Sequence, residues 1–96
     1  MKLKREPTTP GEILKEEFLV PLNLTQKVLA EHIGCDIKVI NRIVNNKTSI
    51  TAEMALKLSS TFNTTPEFWL NAQRAVDLFN TKKEIRKLPK TLLEAV

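Results

Sequence analysis

Lys38 and Arg42 stand four residues apart in Ile37-Lys38-Val39-Ile40-Asn41-Arg42-Ile43, so a helix there places both cations one turn apart on one face, with the Asn41 amide beside them. Arginine matches the O6/N7 edge of guanine and asparagine the N6/N7 edge of adenine, so the chemistry on offer is hydrogen bonding to base edges. Catalysis finds little to work with. Glu16 and Glu17 are adjacent, and on a helix they point about 100° apart, which prevents them from acting as a paired acid and base. The chain has one histidine, His32, and one cysteine, Cys35. Together they cannot furnish four protein ligands for zinc, and one cysteine cannot form an internal disulfide. There is no Ser/His/Asp set, phosphate loop or HExxH motif, so neither an enzyme nor a cofactor or metal is expected.

The 96 residues make one domain. The formal net charge is +4 and the isoelectric point about 9.4. Residues 25–50 carry a net +2 and residues 82–96 a net +3, whereas residues 11–20 carry −2. A basic middle and a basic end point to a polyanionic partner, nucleic acid first. At 42% hydrophobic the composition is that of a globular chain, and two glycines with no tyrosine speak against an all-β fold. No run of 18 apolar residues is present, so no membrane association is expected. Residues 1–8 form a basic arm with no apolar signal-peptide region, which makes the cytoplasm the expected location.

The elements that must position Lys38, Asn41 and Arg42 are legible from their caps. Thr9-Pro10-Gly11-Glu12 reads as an N-cap, a proline at the first helical position and a capping box. Ile13, Leu14, Phe18 and Leu22 follow at helical spacing, and Pro21 ends the helix near Val20. Thr25 caps a second helix, with Leu24 and Leu29 as a hydrophobic staple, Val28, Leu29, Ala30 and Ile33 as its apolar face, and Gly34 as its left-handed end. Asp36 caps a third, in which Ile40, Ile43 and Val44 face inward and Asn45-Asn46 closes the last turn. Thr51 and Thr65-Pro66 start the fourth and fifth.

The second and third helices are separated by three residues around Gly34, the spacing of a helix-turn-helix over residues 25–45. Ala30 is small enough for the partner helix to cross closely, and the outward face of the third helix is left free to enter a DNA major groove. Three motifs then stand in order: Pro10-Gly11-Glu12-Ile13-Leu14-Lys15-Glu16-Glu17-Phe18-Leu19, Leu22-Asn23-Leu24-Thr25-Gln26-Lys27-Val28-Leu29-Ala30, and Ser49-Ile50-Thr51-Ala52-Glu53-Met54-Ala55-Leu56-Lys57-Leu58, the last running on to Thr65-Pro66-Glu67-Phe68-Trp69-Leu70-Asn71. Over roughly residues 8–80 the chain resembles the λ-repressor-like (XRE-type) helix-turn-helix family, and more narrowly the HigA/VapI-type antitoxins.

The resemblance implies an all-α, five-helix DNA-binding domain over residues 9–81, with a short basic C-terminal tail over residues 82–96. It assigns base contacts to Ile37, Lys38, Asn41 and Arg42, and backbone contacts to Gln26, Lys27, Asn45, Lys47 and Thr48. Two positions depart from the family pattern. Asn46 stands where a glycine is usual, and Ile37 is apolar where a polar or basic reader is common, which suits it to a thymine methyl. The implied function is a transcriptional regulator that binds a palindromic double-stranded operator as a homodimer, and, as the antitoxin of a type II pair, represses its own operon and neutralises a small RNase toxin. The alternatives are a phage-type repressor without a toxin, and a toxin-binding module that does not read DNA.

On the fifth helix Phe68, Trp69, Ala72, Ala75, Val76 and Phe79 form one face, which suits a core. Leu70 and Leu78 lie off it with Arg74 between them, and with Leu92 and Leu93 of the tail they are the expected dimer or partner contacts.

Overall fold

The computed structural model describes residues 5–93; Met1–Lys4 of the arm and Glu94–Val96 of the tail lie outside it. The described residues form five helices and no strand. The first is α1 (Pro10–Ile13), which continues without a break as a π-helical segment (Leu14–Leu19). Then follow α2 (Gln26–Ile33), α3 (Ile37–Val44), α4 (Ala52–Phe62) and α5 (Pro66–Glu84).

Every expected cap is in place. Thr9 and Glu12 exchange the two bonds of a capping box, Glu12 N–H to Thr9 Oγ1 and Thr9 N–H to Glu12 Oε1, both at 3.0 Å. Thr25, Thr51 and Thr65 each accept an N–H from three residues on at 3.1 Å, and Asp36 accepts that of Lys38 at 2.8 Å. These bonds satisfy donors that a helix start leaves without a partner. The C-terminal ends share a device of their own. Gly34 (φ 88°) and Asn46 (φ 59°) take the left-handed conformation as expected, and so do Asn23 (φ 56°) and Asn63 (φ 58°). At each, the next residue donates to the carbonyl five residues back: Leu24 to Leu19, Cys35 to Ala30, Lys47 to Arg42 and Thr64 to Ser59.

The caps place five side chains, Leu14, Leu29, Ile40, Leu58 and Trp69, in full burial at the centre. Phe18 bridges Phe62 and Trp69 at ring-centroid distances of 4.6 and 5.5 Å. Trp69 Nε1 donates to Thr64 Oγ1 at 2.8 Å, so its one polar atom is satisfied inside the core. α2 packs on α3 and α4 on α5, with α1 against both α3 and α5.

Packing corrects several expectations. The first helix does not stay α to its end: Val20 donates to Lys15, five residues back, in a widened turn just before Pro21, whose ring would crowd a normal α turn. That widening rotates the following residues, and Leu22 is 56% exposed while Leu19 takes the core position. Val28 is 48% exposed, because α2 buries only the Leu29–Ala30 side of its face. Val44 is half-buried, and on α5 Ala75 is exposed and Phe68 sits at the rim. α5 runs to Glu84, past the boundary expected at Lys82. The basic run Lys82-Lys83 is therefore the last turn of a helix, where cations are favoured.

Ala30 is buried between α2 and its neighbours. A leucine there forces the paired helices apart, and overpacking of this kind costs about 1–3 kcal/mol. Ala30→Leu is expected to lower the thermal midpoint by about 5–20 °C. Calorimetry of the variant against the parent chain checks it; an unchanged midpoint would place Ala30 outside the crossing.

Candidate nucleic-acid interface

Gln26, Ile37, Lys38, Asn41 and Arg42 line one shallow depression on the surface. Ile37 and Gln26 are the first residues of α3 and α2, so two N-termini converge on it, each capped one residue earlier, by Asp36 and Thr25. Ile40 and Ile43 are buried on the opposite side of α3 and turn Lys38, Asn41 and Arg42 to solvent. The amphipathic split of α3 therefore presents the polar set: its apolar half is the core contact and its polar half is left free.

The polar set is internally bonded. Asn41 Nδ2 donates to Gln26 Oε1 at 3.2 Å, across fifteen residues of sequence. Asn45 Nδ2 donates to the Asn41 backbone carbonyl at 3.0 Å and to Asn41 Oδ1 at 3.2 Å. Lys38 and Arg42 make no side-chain hydrogen bond or ion pair among the described residues, and both are exposed.

Lys47 and Thr48 lie apart from that depression, on an exposed loop beside a groove that Thr9, Gly11, Asn46 and Gln73 also line. Lys27 is exposed at the second position of α2. Two residues that sequence reasoning missed hold this loop. Gln73 of α5 accepts the Ile50 N–H at 2.9 Å through Oε1, while its Nε2 donates to Asp77 at 2.9 Å. Gly11 lets the start of α1 lie directly on the end of α3: a Cβ there would run into the Ile43 carbonyl and come within 2.6 Å of Asn46 Oδ1 and 2.9 Å of the Val44 carbonyl. Gln73 gives no local signal, being one polar residue on a long helix. Gly11 sits in the first turn of a helix, where glycine is a poor choice unless something requires it, and that was its signal.

Of the expected dimer contacts, Leu78, Leu92 and Leu93 are exposed. Leu70 is half-buried against the core, so only part of its side chain is free. Arg74 is exposed and donates to Asn71 Oδ1 at 3.0 Å. Apolar surface is not confined to the C-terminal region: Val20, Leu22 and Leu56 are more than half exposed. No helix among the described residues is long and apolar enough to cross a membrane.

A helix pair crossing at a small buried residue, with the second helix's polar face outward, defines a DNA-binding helix-turn-helix protein. The Helix-turn-helix family model matches residues 14–69. The chain is 48% identical over 84 residues to an HTH-type transcriptional regulator of Haemophilus influenzae, covering 88% of this chain and 78% of that one. It is 43% identical over 86 residues to antitoxin HigA-1 of Vibrio cholerae, covering 90% and 81%. Among solved structures, Pseudomonas aeruginosa antitoxin HigA with the higBA promoter superposes with a TM-score of 0.83 at 33% identity, covering 91% of this chain and 99% of that one. The chain belongs to the XRE-type helix-turn-helix family, in the group that holds the HigA antitoxins and related transcriptional regulators.

Proposed function

We propose that this chain is a cytoplasmic, autoregulatory antitoxin: a homodimer that binds a palindromic operator through α3 and holds a small RNase toxin. The observation that carries the DNA half is the single depression shared by Gln26 of α2 and Ile37, Lys38, Asn41 and Arg42 of α3, which brings together two cations unpaired among the described residues and the Asn41–Gln26 amide bond. Arg42 and Lys38 are assigned to base edges and Ile37 to a thymine methyl. Gln26, Lys27, Lys47 and Thr48 are assigned to phosphates, Gln26 at a helix N-terminus that already favours an anion. The relatives support both halves, since one bears the name antitoxin HigA and another was solved with the higBA promoter.

Binding of duplex DNA across a salt series tests the reading. Several phosphate contacts give a steep fall of affinity with salt; a flat dependence leaves a toxin-binding module that does not read DNA. Co-purification from the native operon tests the toxin half, because it reports partner and stoichiometry together. Arg42→Ala is expected to relax discrimination at one base pair and to cost about 1–3 kcal/mol on the preferred site. Uniform weakening on every sequence would move Arg42 to the phosphate class.

One recognition helix reads too few base pairs for useful specificity, and two-fold symmetry places two of them about 34 Å apart on one face of the duplex. The seam proposed for this dimer is the C-terminal region: the free edge of Leu70, with Arg74, Leu78, Leu92 and Leu93. Its support is exposure, Leu78 at 54% on α5 and Leu92 at 99% in the tail that follows it. Leu78→Glu, and a chain ended after Glu84, are expected to sediment as monomers at concentrations where the full chain is a dimer. A dimer that survives both changes together puts the seam elsewhere, with the first helix and its Glu16-Glu17 face next in line.

A further inference from the structure

We infer that Gln73 and Asp77 of α5 act as one unit that sets the loop after α3 in its phosphate-contacting course, which makes α5 part of the DNA-binding machinery; the inference rests on the DNA-binding reading above. The loop, between Val44 at the end of α3 and Ala52 at the start of α4, is tied on both sides. The Lys47 N–H donates to the Arg42 carbonyl at 2.8 Å, which fastens the first part to α3. The Ile50 N–H donates to Gln73 Oε1 at 2.9 Å, which fastens the far part to α5. Between the two ties, no N–H or hydroxyl of Thr48 or Ser49 finds a partner among the described residues. Burial of the Ile50 side chain fixes where that residue sits, but the bond to Gln73 fixes how the Ser49–Ile50 peptide is turned. The direction in which the chain enters Lys47 and Thr48 from that side follows from it.

The polarity of the far tie has no alternative. A backbone N–H only donates, and an ionised carboxylate only accepts. Gln73 stands between one of each: its Oε1 faces the Ile50 N–H, and its Nε2 donates to Asp77 Oδ1 at 2.9 Å. Turning the amide over would break both bonds and set oxygen against oxygen. Gln73 and Asp77 are one helical turn apart, and with Val76 and Asn80 they line the groove that Lys47, Thr48 and Ser49 also border. A carboxylate beside a lysine assigned to phosphate works against DNA by its charge. Its bond to Gln73 accounts for its presence, since it holds the amide with the oxygen toward the loop. Gln73 and Asp77 act through the loop and are positioning residues.

The test uses the full chain and full-length variants, with a duplex selected by the parent from a randomised pool and a scrambled duplex. Gln73→Ala is expected to weaken binding to both duplexes alike, about tenfold, the loss of one charge-assisted contact. The log–log salt slope should become shallower by about 0.9, the worth of one phosphate, from Lys47. Asp77→Asn and Asp77→Ala lose the same charge, but only Asp77→Ala loses the acceptor, so it should bind about fivefold more weakly than Asp77→Asn. The double variant Gln73→Glu with Asp77→Asn exchanges the two groups and keeps both bonds: the carboxylate at position 73 accepts from the Ile50 N–H and from the amide at position 77. It should recover the affinity and salt slope of the parent. In the DNA-free protein, the Ile50 amide proton should exchange with water faster in Gln73→Ala and at the parent rate in the double variant. Equal affinities for Asp77→Asn and Asp77→Ala overturn the proposal, as does a double variant no better than Gln73→Ala. Lost preference for the selected duplex with an unchanged salt slope also overturns it, by moving the effect from the loop to α3. A parent chain without salt-dependent binding overturns the DNA reading itself and is seen before any variant is compared; the Ile50 exchange then still reports on the Gln73–Asp77 pairing.

Discussion

Trp69→Ala is expected to unfold the protein at temperatures where the parent chain is folded. Trp69 is fully buried, and two aromatic rings pack on it: Phe68 edge-on at 5.1 Å and Phe18 tilted at 5.5 Å. Its removal opens a cavity at the meeting point of the first helix and α5, and it leaves the Thr64 hydroxyl without the indole N–H it accepts at 2.8 Å. Replacing a buried tryptophan by alanine costs about 3–5 kcal/mol. A small domain has about 5–15 kcal/mol of stability in all, so this loss takes a large share. In a chain of this size each kcal/mol is worth about 4–8 °C, so the midpoint should fall by more than about 12 °C. Trp69→Phe keeps the ring and loses only the N–H, and should recover most of the difference. Equal midpoints for Trp69→Ala and the parent would mean that the Phe18–Trp69–Phe62 cluster does not form.

The second large effect is expected at Gly11. The added methyl of Gly11→Ala meets the Ile43 carbonyl and lies 2.6 Å from Asn46 Oδ1. The obstacle is mostly backbone, which cannot rotate away as a side-chain tip does. The first helix must lift off the end of α3, at a cost of about 2–4 kcal/mol by the upper end of overpacking effects. The displaced group is the last turn of the recognition helix and the loop bearing Lys47 and Thr48, so DNA affinity should fall beyond what instability explains. Binding is therefore measured well below the variant's midpoint. Asn46→Gly removes one of the three obstacles and suits the left-handed backbone of residue 46, so in the double variant it should restore part of the stability. Full stability in Gly11→Ala would mean that the first helix does not approach α3 so closely.

Both effects depend on contacts between distant segments, although Trp69 already reads as a core residue and Gly11 as a glycine that something must require. What the residues determined by themselves is the set of helix starts. Thr9, Thr25, Asp36, Thr51 and Thr65 cap helices by bonds to residues two or three away, and such bonds depend on nothing beyond the local segment. Gly34 ends α2 for the same reason, since only its own backbone must reach φ 88°. From these boundaries and the small Ala30 the helix-turn-helix follows, and with it the outward placement of Lys38, Asn41 and Arg42. Tertiary structure decided what crosses between segments: the Asn41–Gln26 bond spans fifteen residues and the Ile50–Gln73 bond twenty-three. Apolar spacing shows which residues could be buried, but the width of the facing element selects among them, so Leu19 is inside while Leu22 and Val28 remain in water.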